Sequence, residues 1–222
     1  MDTAVYIDGY NLFYGRLRAT PYKWLDIVKL SELIIKIQSP ESSILKVKYF
    51  TAPIKANFSS HGQLSVQSQT NYNRALAHLY PGRIEIINGY QTVEKGTPPR
   101  YKRPIDKDDR VEVWKFEEKQ TDVNLALHLY RDAILGQYSQ QVVVSNDTDL
   151  ELALKLVKQD TPNIQLGLIV PLREGNHSYP NKSLSDQSDW TRRHILNAEC
   201  EKCLLPNTIP TNKKPIIKPS YW

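Results

Sequence analysis

The chain predicts an α/β fold with a mostly parallel central sheet and helices on both faces. The apolar runs Ala4-Val5-Tyr6-Ile7 and Gln141-Val142-Val143-Val144-Ser145 have the near-continuous hydrophobicity of strands buried on both sides. Stretches of helical periodicity alternate with runs of this kind, the order that winds strands into a parallel sheet. Both runs also lead into carboxylates, Asp8 after the first and Asp147 and Asp149 after the second. Open α/β sheets place their ligands at that end of a strand.

In chain order, residues 11–18 begin a helix after the first strand. Ile27, Leu30, Leu33, Ile34 and Ile37 recur at helical spacing, so 27–37 is an amphipathic helix, closed by Pro40. A second strand follows over 44–49. The polar stretch 55–65 is a loop feeding a helix over 66–80, which Pro81-Gly82 ends, and 83–90 is a third strand. From Lys95 to Arg110 there are three prolines, six basic residues and no apolar periodicity, which predicts an exposed loop or flap. Residues 111–116 form a short strand, at an edge or in a hairpin with the third. The helix over 121–135 is apolar around much of its surface and is therefore buried. A strand over 141–145 leads into a helix over 148–159, and 164–170 is the last strand before Pro171. Beyond residue 173 the alternation fades. A short helix is expected over 190–196, then an extended tail over 204–222 containing Pro206, Pro210, Pro215 and Pro219. The expected division is a domain over 1–172 and a C-terminal extension over 173–222, with no internal repeat.

Composition fits this picture. A chain of 222 residues with 40% hydrophobic content is long enough to bury a proper core. Its net charge of +5 fits a polyanionic partner without demanding one. No basic leader and no run of eighteen apolar residues occurs, so no membrane partner and a cytoplasmic location are expected. Nothing in the pattern specifies an oligomer. The two cysteines, Cys200 and Cys203, fit a reducing compartment. With His194 they offer half of a zinc site, or simply pack.

A further acid, Asp122, falls in the first turn of the helix over 121–135, where the helix dipole favours it. The fold can therefore converge Asp8, Asp122 and Asp147. Carboxylates brought together repel and lose hydration, and a divalent cation with oxygen ligands offsets both costs. Mg2+ or Mn2+ is the expected ion. Such an ion acidifies a bound water and orients it towards a phosphodiester, which favours hydrolysis of nucleic acid.

Around these acids, Tyr6-Ile7-Asp8-Gly9-Tyr10-Asn11, Glu118-Lys119-Gln120-Thr121-Asp122-Val123 and Ser145-Asn146-Asp147-Thr148-Asp149-Leu150 resemble the three motifs of NYN-domain proteins, a branch of the PIN-like nucleases. The match covers their order and spacing over roughly residues 3–172. The resemblance implies a Rossmann-like PIN fold and a metal-dependent ribonuclease, an endonuclease acting on single-stranded RNA. Carried over by position, Asp8, Asp122 and Asp147 are the metal-site and catalytic acids, Asn11 a polar catalytic partner and Asp149 a further metal ligand. Arg16, Lys119 and Asn146 are the expected substrate-binding residues. Asn146 stands where the family usually has a small residue, and Gln120 where a glycine is common; neither change removes a carboxylate.

Each acid also has a structural explanation. Asp8 before Gly9 makes a turn, Asp122 caps or is solvated, Asp147 or Asp149 caps the next helix, and Asn11 bonds its own backbone. The flap, with Lys95, Arg100, Lys102, Arg103, Lys107, Arg110 and Tyr101, is either a phosphate-tracking clamp or a solvated loop. Dinucleotide binding is the rival suggested by fold, but the first turn lacks the glycine pattern that admits a pyrophosphate. A topoisomerase-primase type site would want a glutamate after the first strand, where this chain has Asp8. The remaining alternative is a catalytically weak NYN-like module that binds RNA or a protein.

Overall fold

The computed structural model describes residues 1–222. The first apolar run forms β1 (Asp2–Asp8), buried from Thr3 onward. α1 (Gly9–Leu12) follows without a break and continues as a π-helical turn over Phe13–Leu17. Gly9 is required here, because a Cβ would stand 2.6 Å from the Phe50 carbonyl oxygen. α2 (Ile27–Gln38) is capped by Asp26, whose carboxylate accepts the Lys29 backbone N–H. Then come β2 (Ser43–Thr51), α3 (Gln63–Leu79) and β3 (Ile84–Asn88). β4 (Tyr90–Gly96) and β5 (Val113–Lys119) pair antiparallel as an arm of their own. α4 (Thr121–Ile134), β6 (Gln140–Val144), α5 (Glu151–Asp160) and β7 (Gln165–Ile169) restore the alternation. The chain ends with α6 (Lys182–Asp186), β8 (Trp190–Arg192), α7 (Asn197–Lys202) and the small pair β9 (Thr208–Ile209) and β10 (Ile216–Ile217).

Six strands make one parallel sheet in the order β3-β2-β1-β6-β7-β8. Because strand residues alternate faces, Val5, Ile7, Val142 and Val144 join one core, while Ala4, Tyr6 and Val143 join the other. The first core also holds residues of α2, α3 and the C-terminal segment; the second holds residues of α4, α5 and α6. The expected α/β class and parallel sheet are what the chain adopts, a Rossmann-like arrangement. The strand order reverses between β1 and β6, and the crevice at their C-terminal ends is the switch point where such sheets bind ligands.

Three expectations are corrected. The third strand is two: Ile84–Asn88 stays in the sheet and Tyr90–Gly96 turns away into the arm. Gly89 between them lies so close to the Lys119 carbonyl that a Cβ would approach to 2.4 Å. Residues 190–192 are a strand, not a helix. The open edge of β7 recruits them, and the Trp190 ring fills the space a Cβ at Gly167 would occupy. The fold also does not end at residue 172, because β8 completes the sheet and Ile195, Cys200, Cys203, Leu205, Ile209 and Ile216 are buried in the first core. No helix is long and apolar enough to cross a membrane.

α4 is tied to the sheet by a buried polar group. Asp132 Oδ2 accepts from Lys48 Nζ and from the Tyr6 hydroxyl, both at 2.6 Å, with Lys48 and Asp132 nearly inaccessible to water. This anchor fixes the helix whose first turn carries Asp122.

Candidate active site

Asp8 ends β1 and is 1% exposed. Its Oδ1 accepts the Asn11 backbone N–H at 2.9 Å, and its Oδ2 accepts the Ser145 hydroxyl at 2.9 Å. Burial raises its pKa; the hydrogen bonds from Asn11 and Ser145 oppose the rise and the Asp147 charge adds to it. The Ser145 hydroxyl also accepts the Asp147 N–H at 3.1 Å, so one serine links the ends of β1 and β6. Asp147 in turn caps the 3-10 turn Thr148–Leu150 by accepting the Asp149 N–H at 3.0 Å.

Asp122 enters from α4. Its pKa is raised to about 6, first by burial and then by the charges of Asp8, Asp147, Glu118 and Asp149. One carboxylate oxygen each from Asp8, Asp122 and Asp147 can be chosen so that all lie within 4.8 Å of one another. Residues more than a hundred positions apart thus meet at the switch point. Their all-oxygen donor set fits a hard divalent cation.

The other expected site residues divide. Asn11 lines the same cleft, and its Oδ1 accepts the Asn146 backbone N–H at 3.3 Å. Asn146 is committed to structure, its Oδ1 accepting the Asn181 N–H at 2.8 Å. Asp149 is exposed and stands outside the converging trio, its backbone serving the cap. Lys119 reaches the cleft but pairs with Glu117. Arg16 is corrected outright: it is 0% exposed, with Nε donating to the Ile195 carbonyl at 2.9 Å and a terminal nitrogen to Asn197 Oδ1 at 2.8 Å. It braces the C-terminal segment and meets no substrate.

The basic flap is partly neutralised from within. Lys102 pairs with Asp106 and Asp109, Arg100 with Asp109 and Lys95 with Glu112, while Arg103, Lys107 and Arg110 form no ion pair and no flap residue lines the cleft. Cys200 and Cys203 are buried free thiols; burial raises both pKa values, that of Cys200 to about 11. They pack in the first core.

Sequence reasoning missed the neighbour of this cleft. A cavity of about 150 Å³ lies beside it, walled by Tyr10, Tyr14, Tyr49, Tyr72 and Trp222 among others. Tyr10 and Glu118 line both the cavity and the acidic cleft. Glu118 is half-buried; burial raises its pKa, the Thr121 hydroxyl opposes the rise and the Asp8 charge adds to it, and its Oε1 has no partner in hydrogen-bond geometry. The available signal was Glu118 at the start of the second acidic motif, but the aromatic walls come from four separate segments.

No family model matches the chain. A crystal structure of a protein of unknown function from Vibrio parahaemolyticus RIMD 2210633 aligns with a TM-score of 0.50 and 16% identity, over 92% of this chain and 96% of that one, a likeness of fold. A relative from Pseudomonas putida (strain DSM 28022 / S16) is 40% identical over 244 aligned positions, covering all of this chain and 75% of its own length. It is named 6-hydroxy-3-succinoylpyridine 3-monooxygenase HspA. The ribonuclease expectation, with its endonuclease and hydrolase chemistry, is overturned by this relationship. Converging carboxylates on an α/β sheet do not by themselves specify the reaction done beside them. Over its whole length, the chain belongs to the family of the enzyme 6-hydroxy-3-succinoylpyridine 3-monooxygenase HspA.

Proposed function

We propose that the chain is a monooxygenase for a small hydroxylated N-heteroaromatic acid, working at the cleft formed by Asp8, Asp122 and Asp147. The observation that carries this reading is 40% identity, over the entire chain, to an enzyme named for that chemistry. The acidic cleft opening beside an aromatic cavity supports it. Monooxygenation places one oxygen atom of O2 on the substrate and releases the other as water, consuming two electrons and two protons. A two-electron donor, a reduced nicotinamide or flavin, is therefore a co-reactant. A dinucleotide held as doubly wound sheets hold it does not fit the turn after β1, since Asp8 would face the pyrophosphate where glycines are needed.

Mg2+ or Mn2+ fits the three carboxylates. When bound there, such an ion would supply positive charge beside a developing oxyanion. The protein's own residues set the rest. Ser145 and Asn11 hold the Asp8 carboxylate in a fixed orientation, and the cap to Asp149 does the same for Asp147. The three acidic motifs that resemble those of NYN-domain proteins are, in this reading, a cation-binding frame turned to oxidation.

The test is oxygen uptake by the purified protein with 6-hydroxy-3-succinoylpyridine, Mn2+ or Mg2+ and a reduced nicotinamide, with and without free flavin. Oxygen consumption matched one-to-one by substrate loss is expected. Asp147→Asn should reduce it by at least tenfold and weaken Mn2+ binding, read from the free-ion electron-paramagnetic-resonance signal. Absence of substrate-dependent uptake under every combination would sink the reading.

A further inference from the structure

We infer that the aromatic cavity beside the acidic cleft is the seat of the substrate ring, with Glu118 accepting a hydrogen bond from a ring hydroxyl or ring N–H and Lys23 meeting a carboxylate on the same ligand. The inference rests on the monooxygenase reading and names the substrate determinants of that site.

The cavity has the size and chemistry of a one-ring pocket. Its volume of about 150 Å³ suits a single six-membered ring with short substituents, and its walls are mostly aromatic and aliphatic. Tyr10 and Tyr14 pack on each other, with ring centroids 4.3 Å apart, and both are about half exposed, so together they form one aromatic wall of the cavity on which a flat ligand can lie. On another wall Trp222 packs edge-on to Trp24 and tilted against Tyr72, which places the last residue of the chain in the pocket.

Lys23 and Glu118 are the two charged residues of the lining, one of each sign. Lys23 forms none of the ion pairs found in the molecule. Glu118 Oε1 is buried with no partner in hydrogen-bond geometry, the neighbouring Thr121 hydroxyl being likewise unpartnered, so a ligand donor reaching Oε1 would meet an unfilled acceptor. A ligand matching both groups carries an anion and a separate hydrogen-bond donor on a flat ring, as a hydroxypyridine carboxylic acid does. Because Glu118 also faces the acidic cleft, a ring hydrogen-bonded to it lies at the boundary between the cavity and the carboxylate trio.

The experiment is a fluorescence titration of the full chain in chelator, where no turnover occurs. The probes are 6-hydroxypyridine-3-carboxylate, pyridine-3-carboxylate and 2-hydroxypyridine. Saturable quenching by the first probe is expected in the wild type. Glu118→Ala should weaken it at least tenfold while changing pyridine-3-carboxylate, which lacks the ring hydroxyl, by less than twofold; Glu118→Gln, still an acceptor, should recover part of the loss. Lys23→Met should weaken both carboxylates and leave 2-hydroxypyridine unchanged. Equal losses for all probes in either variant, or no saturable quenching in the wild type, would overturn the inference. Because neither metal nor oxygen is needed, quenching without oxygen uptake would leave this pocket standing while removing the monooxygenase reading.

Discussion

Asp122 carries the clearest proton response in the cleft. Its carboxyl is raised to about 6 from an ordinary 3.8, so the folded state holds this proton more tightly than the unfolded chain does. The folded protein therefore binds the extra proton between pH 3.8 and about 6, and stability falls as pH rises through that window. Two pKa units correspond to about 3 kcal/mol, which the half-exposed position reduces to roughly 1 kcal/mol. In chelator, Asp122→Asn should be more stable than wild type at pH 7.5 and gain little at pH 4, measured by urea denaturation. An equal gain at both values would show that charge crowding is not the cause. The carboxylates themselves were legible in the sequence, since each follows a strand or opens a helix. The role of Arg16 was not, because its partners, Ile195 and Asn197, lie 179 and 181 residues away and only folding brings them together.

Among the elements, the junction of β5 with α4 explains a departure noted in the sequence. Gln120 adopts φ +69°, the left-handed region that favours glycine, and glycine is what the resembling family commonly places there. Gln120→Gly should stabilise the chain by about 1 kcal/mol, raising Tm by roughly 2–4 °C. An unchanged or lower Tm would show that the junction is unstrained. The anchor of α4 makes the opposite prediction. Asp132→Ala leaves the Lys48 ammonium buried without its carboxylate partner, with only His128 Nδ1 at 3.3 Å beside it, and should cost about 3–5 kcal/mol in urea denaturation. Pairing Lys48→Met with Asp132→Leu should return most of that loss; a double variant as unstable as the single one would show that shape, not charge, fails. Helices with one apolar face were readable from spacing, as α2 shows. The strand over 190–192 was not, because a strand that completes a sheet edge is chosen by the vacancy beside β7 rather than by its own three residues.

For the whole molecule, the C-terminal segment is part of the fold. Its prolines suggested a tail lying on the domain or free of it, yet Ile209 and Ile216 are buried in the first core, and the Trp24 indole N–H donates to the Pro206 carbonyl at 2.9 Å. The Tyr221 hydroxyl meets Ser68 Oγ at 2.8 Å, and Trp222 closes one wall of the cavity. Ending the chain after Asn207 removes two buried aliphatic side chains and two packed aromatic ones, a loss on the order of 5 kcal/mol. Tm should drop by 10 °C or more, and quenching by 6-hydroxypyridine-3-carboxylate should vanish. A truncated chain with unchanged Tm and binding would show the segment to be dispensable.

The sequence by itself determined the parallel α/β order and the three acids at strand and helix ends, because hydrophobic periodicity and terminal position are local properties. Only the tertiary structure decided that those acids share a cleft with Glu118, that Asp149 and Arg16 are kept out of it, and that Trp222 returns to wall an aromatic cavity. Each of those outcomes is a contact between distant segments, selected by which surfaces exclude water together rather than by the residues on either side.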